Sequence, residues 1–196
     1  MRMSPGLKTL VAFCAVPALL WAAEDPAKAR EAGKNALGKT KVAMSAALET
    51  AQKEAKDGKA IECELELQGD KPVFEVAFMT GDKRTEVFID GVTGTKGATA
   101  PTGEHKHDAT EMANAKKALG LAKVTLSAAL ETAVKEAKDG KAYKGALTMD
   151  ADKPIFHFEM MVGDKFMSAQ IDAVSGKVIK VEEQKMETKK PPAPGG

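Results

Sequence analysis

Two cysteines, three histidines, one tryptophan and one tyrosine are all that 196 residues contain of those types. That scarcity leaves little material for nucleophilic, metal or base-stacking chemistry. Charge of one sign is also missing: 29 Lys and Arg stand against 28 Asp and Glu, so no overall field draws the chain to nucleic acid or to an anionic membrane. No glycine-rich phosphate loop and no paired-cysteine metal motif occurs. With 43% hydrophobic residues, the chain still has enough apolar material for one ordinary core or two small ones.

The first residues, MRMSPGLKTLVAFCAVPALLWAAEDP, place Arg2 and Lys8 before an apolar stretch that ends in small residues and an acidic start. This is a secretory signal pattern, and it predicts a signal peptide over residues 1–23 and a secreted or periplasmic mature chain. The apolar stretch is shorter than the roughly 20 residues that span a bilayer, so no stable membrane span is expected after cleavage. Removal of Arg2 and Lys8 lowers the formal net charge from +1 to −1. Cys14 leaves as well. Cys63 then stands alone, no internal disulfide can form, and the fold must rest on packing even in an oxidising compartment.

What the chain has in abundance is itself. SAALETAQKEAKDGKA at 45–60 returns as SAALETAVKEAKDGKA at 127–142, and the gap-free register extends from Lys41–Gly94 to Lys123–Gly176. By direct count about 30 of the 54 aligned positions are identical, which implies duplication. Residues 24–97 and 110–184 are expected as two domains, 98–109 as a linker, and the Pro-rich 185–196 as a disordered tail.

Within each copy the hydrophobic period changes. Leu48, Ala51 and Ala55, like Leu130, Ala133 and Ala137, recur at helical spacing, with Ser45 and Ser127 as expected N-caps and Asp57-Gly58 and Asp139-Gly140 as stops. Shorter helices are expected from Asp25-Pro26 to about Leu37 and over about Glu111 to Leu119. The period then falls to two. Ile61, Cys63, Leu65 and Leu67 alternate with Glu62, Glu64 and Glu66; Phe74, Val76 and Phe78 share a side, as do Thr85, Val87 and Ile89. The pattern predicts an α+β fold: two tandem copies of a helix followed by an antiparallel three- to four-stranded sheet, with the helix on one sheet face.

The helix, the strand starting near KPIF, and the closing IDAVSGKVIKV, with Asp172, Gly176 and Val178, resemble a PepSY domain. The first copy shares FIDGVTG but then departs at TKGAT. The tandem arrangement is also similar to the repeats of the beta-lactamase inhibitory protein fold. The resemblance implies a noncatalytic protein-binding module, such as a peptidase inhibitor or regulator in the cell envelope, and no catalytic residue to carry over. Its partner would be another envelope or extracellular protein.

The residues agree that this is not an enzyme: His105 and His107 lie in the linker, and only His157 could be held rigidly as a base. No cofactor is expected. The alternative function is envelope metal binding by His105 and His107, flanked by Glu104 and Asp108, although two ligands fall short of the usual four. A structural spacer is the third. Cys63 falls on the helix-facing side and is expected to be a buried, unreactive thiol. The opposite sheet faces differ most between copies: Glu62, Glu64 and Glu66 make the first acidic, while the second carries His157 with Ile155, Met161 and Phe166. These residues are expected to bind the partner, with the three apolar ones as exposed anchors.

Overall fold

The computed structural model describes residues 25–97 and 109–184. The signal-like segment 1–23, nearly all of the linker and the 185–196 tail lie outside the described residues. Each copy begins with two helices and continues as an antiparallel meander. The first comprises α1 (Pro26–Lys39), α2 (Met44–Ala55), β1 (Lys59–Gln68), β2 (Lys71–Thr80) and β3 (Lys83–Asp90). The second comprises α3 (Ala109–Leu121), α4 (Leu126–Glu136), β4 (Lys141–Asp150), β5 (Lys153–Val162), β6 (Lys165–Asp172) and β7 (Val178–Glu183). The copies do not form separate sheets. They join edge to edge into one seven-stranded sheet, ordered β3-β2-β1-β4-β5-β6-β7.

The joint has a simple geometry. Antiparallel β1 and β4 pair Glu62 with Ala146, Cys63 with Gly145 and Glu64 with Lys144. Cys63 and Gly145 are equivalent positions of the duplication, 82 residues apart. A local two-fold axis therefore passes through that pair, perpendicular to the sheet, and relates one copy to the other. Matching register shifts lie at Ala60/Glu62 and Ala142/Lys144. The bulges repeat with the sequence.

Strand alternation sends Cys63, Leu65, Phe74, Val76 and Phe78 to one face, all buried, with Phe156, Phe158, Met160 and Ile171 in the second copy. Ala47, Leu48 and Ala51 of α2 and Ala129, Leu130 and Ala133 of α4 complete that core. Four of the largest fully buried side chains are Phe74, Phe78, Phe156 and Phe158, each contributing roughly 1.5–3 kcal/mol by leaving water.

The helix ends differ from expectation. α2 starts at Met44 behind Ala43, which has no side-chain cap, and α4 starts behind Thr125, whose hydroxyl accepts from Ala128 N–H at 3.2 Å. Ser45 and Ser127 thus sit inside the first turn. At the C-terminal ends the left-handed residues are Lys56, Lys138 and Asp139, with φ of 49°, 54° and 63°. Gly58 and Gly140 serve close packing instead: a β-carbon at Gly140 would lie 2.8 Å from the Met160 sulfur.

The shared ending of the two meanders is an aspartate-centred turn. Asp90 Oδ1 accepts from the N–H groups of Val92 and Thr93, both at 2.8 Å; Asp172 Oδ1 accepts from Val174 and Ser175 at 3.0 and 2.6 Å. These bonds hold both carboxyls below their usual pKa. After that turn the second copy makes β7, while the first, among the described residues 95–97, makes an Ile89–Lys96 bridge and no strand. Among the described residues no helix is long and apolar enough to cross a membrane.

Candidate functional site: the carboxylate face of the joint

The face opposite α2 and α4 collects the alternate strand positions, and on it charged side chains from both copies meet. Arg84 of β3 is the hub of the first copy. Its guanidinium lies 3.2 Å from Glu62, 3.2 Å from Glu86 and 3.9 Å from Glu75, so one cation ties carboxylates from three strands. Only 9% of the Arg84 side chain is exposed. The delocalised, forked guanidinium can serve several carboxylates at once, as an ammonium cannot. Across the joint, Lys144 Nζ stands 2.7 Å from Glu64 Oε2.

The carboxylates outnumber the cations. Burial, aided by Glu62 and Glu66 and opposed by Lys144, raises the Glu64 pKa to about 7. Burial also pulls Lys144 down, but Glu64, Glu62 and Glu159 outweigh it and hold that pKa above its ordinary value. The two partners are raised for different reasons: burial disfavours the charged form of Glu64, whereas Lys144 is held protonated by Glu64 itself and then by Glu62 and Glu159. Glu64 keeps 29% of its side-chain surface exposed, so water still screens part of this effect.

The face is less open than strand alternation alone implies. Tyr143 occupies the β4 bulge, and its hydroxyl donates to Glu159 Oε2 at 2.9 Å. Its ring rests on Gly33 of α1, where a β-carbon would overlap ring carbons. Glu159 pairs with Lys144 on the carboxylate side, so α1 lies over that side and not beside α2. Burial and the Glu159 charge together drive the Tyr143 pKa upward, which keeps the phenol neutral. Farther along α1, Arg30 donates to Gln184 Oε1 at 3.2 Å, and the Gln184 N–H donates to Phe166 O. By the local two-fold, α3 takes the equivalent place at the other end of the sheet, where Lys116 pairs with Asp82 and Lys117 pairs with Asp152 at 3.0 Å. What remains between the two helices is a recess floored by charge.

This arrangement corrects the expected anchors. Ile155, Met161 and Phe166 expose only 5, 8 and 7% of their surface and are not accessible contacts. Met161 pairs with Phe166 at the end crossed by α1, and Ile155 follows the turn held by α3. Parity identified their side of the sheet but carried no information about what covers it. His157 is mostly buried, and burial lowers its pKa despite nearby Glu159 and Glu182. Glu62 and Glu64 are brought together with Arg84 and Lys144 as a network, and Glu66 lies next along β1, paired with Val73. Strand alternation already puts Arg84 on the same face as these glutamates; Tyr143 and Gly33 were the residues missed. A glycine in mid-helix, which costs about 1 kcal/mol against alanine, was the available hint.

Cys63 is a buried free thiol on the core side, with its pKa pushed well up by burial and then by Glu62, Glu64 and Glu75. The burial is the one the sequence implied, and a buried thiol of raised pKa is expected to react slowly. His105 and His107 lie outside the described residues. Among the described residues no three His, Cys, Asp or Glu side chains stand where they could share a metal ion.

Comparison with known proteins adds a family. The PepSY model, described as peptidase propeptide and YPEB domain, matches residues 41–95 and again 123–182. No curated protein matches. Among solved structures, a lipoprotein candidate from Clostridium difficile 630 is similar at 22% identity and a TM-score of 0.41, covering 74% of this chain and 95% of its own. The Bacillus megaterium YpeB C-terminal domain is similar at 12% identity and a TM-score of 0.25, covering 76% and 68%.

Proposed function

Because the chain belongs to the PepSY family, with two copies of the domain, we propose that it is a noncatalytic extracytoplasmic module that binds and restrains another protein, a peptidase in particular. The tandem family match carries this reading, since PepSY domains are propeptide- and inhibitor-type modules. The signal-like start supports delivery across a membrane.

The carboxylate recess is the binding face we assign. Glu62, Glu64, Glu66, Glu75, Glu86 and Glu159 outnumber Arg84 and Lys144, so the recess favours a basic segment of the partner. The first-copy glutamates act there by charge, and apolar anchoring by Ile155, Met161 and Phe166 is not part of the proposal. The test is capture of partners by the mature chain from its own extracytoplasmic fraction, followed by assay of any captured peptidase with and without the chain. Capture of a peptidase whose activity falls on binding supports the proposal. Binding that leaves the activity unchanged removes the inhibitory role. Capture unaffected by Glu66→Lys at low salt removes the recess as the site.

A further inference from the structure

The sheet ends on one side in β7, whose outer edge is unpaired among the described residues. Three of the exposed large hydrophobic residues cluster along it and its preceding turn: Val174, Val178 and Ile179, the last exposing 52% of its surface. The other side of the sheet is blunted. There the Ile89–Lys96 bridge and the bond from Gly97 N–H to Phe88 O cover part of β3.

The phase of β7 determines what its edge offers. Gln184 N–H donates to Phe166 O, which makes the alternate partners Ser168–Glu182 and Gln170–Lys180 the bonded pairs of the β6–β7 ladder. Val181 and Glu183, with Ile179 at the bulge, therefore turn their N–H and C=O groups outward. An unpaired edge of this kind is a template for another strand.

We infer that β7 pairs antiparallel with β7 of a second copy, about a two-fold axis through Val181. In that register Val181 bonds its own counterpart and Ile179 bonds Glu183 of the second copy. Lys180 then stands opposite Glu182 of the second copy, twice over, as a close non-bonded pair. The strand is self-complementary in charge only because Lys180 and Glu182 flank Val181 symmetrically. In the isolated chain these two side chains pair along the strand at 2.7 Å, so they already occupy the same face.

The joint inside the chain follows the same pattern. There an axial pair, Cys63 and Gly145, has a lysine–glutamate pair one residue away, Lys144 with Glu64. The β7 edge repeats it between molecules, with Val181 on the axis and Lys180 and Glu182 beside it. Strand pairing alone makes a small interface, so a weak, reversible dimer is expected.

Sedimentation velocity of residues 24–196 over rising concentration, up to about 1 mM, tests this for an interface at the small end of the size range. The parent should shift reversibly from monomer to dimer. Lys180→Glu alone and Glu182→Lys alone should each weaken the dimer by about tenfold or more, since each places like charges opposite one another twice. The double exchange should restore it. Both side chains are exposed, and an unchanged circular dichroism spectrum will show that the variants fold. A parent that remains monomeric, single variants that dimerise as the parent does, or a double exchange that fails to recover overturns the inference. None of these outcomes bears on the recess or on capture of a peptidase.

Discussion

Replacing Lys144 with Met tests whether the joint between the copies is electrostatically set. The side chain keeps its length and apolar stem while the ammonium opposite Glu64 is removed. Breaking a half-buried, hydrogen-bonded ion pair leaves Glu64 among Glu62, Glu66 and Glu159 with no cation of its own. A charged hydrogen bond contributes about 1.5–3 kcal/mol, and partial exposure of Glu64 places the expected loss near 2 kcal/mol at pH 8. Glu64 has a pKa raised to about 7, above its unfolded value. In the parent the group therefore binds more protons folded than unfolded, and its contribution to stability is full below about pH 4 and falls as pH rises through 7. At pH 5 Glu64 is mostly neutral in the parent, the ion pair is largely unformed, and the variant should lose less than about 1 kcal/mol on the same scale. Urea unfolding of both proteins at pH 5 and pH 8 measures the difference. A loss that is equal at the two pH values, or larger at pH 5, refutes the assigned role of the pair.

Ala43→Thr should supply the cap that Thr125 gives the second copy and stabilise the fold by about 1 kcal/mol in thermal or urea unfolding. Gly33→Leu should lift α1 from Tyr143; the readout, on protein beginning at residue 24, which holds no tryptophan, is earlier unfolding together with a shift of the tyrosine absorbance. A thiol reagent should modify Cys63 only as fast as β1 and β4 separate, so labelling in dilute urea should follow opening, and rapid labelling of the native chain would contradict its burial. Acidification below about pH 4 should loosen the two closing turns, because carboxyls with depressed pKa values lose their contribution as pH falls through those values. Hydrogen exchange at Val92, Thr93, Val174 and Ser175 reads this directly.

The parts of the fold legible in sequence were those written in local periods. Alternation placed Phe74, Val76, Phe78, Cys63 and Leu65 on the core face, and helical spacing placed Leu48, Ala51, Leu130 and Ala133 against them. The duplication gave two copies but not their union: pairing of β1 with β4 depends on edges and bulges, and neither changes a hydrophobic period. The exposed-anchor expectation for Ile155, Met161 and Phe166 failed for a related reason. Alternation assigns a side, whereas cover over that side comes from α1 at one end and α3 at the other, and the seating of α1 depends on one glycine against one tyrosine. The ion network was half visible. Its glutamates alternate plainly along β1, but Arg84 and Lys144 reach them from other strands, and only tertiary register brings them near.

The contact between Arg30 and Gln184 ties the first helix to the last described residue, while β1 and β4 are bonded directly in the middle. The two ends of the described chain thus meet beside that contact, and in sequence the connection between the copies is residues 98–108. Adjacency of the halves does not depend on that connection. A protease nick between residues 98 and 108 should leave the two pieces associated as one particle, and a circular permutant that opens there, with a short bridge joining the old ends, should assemble the same sheet.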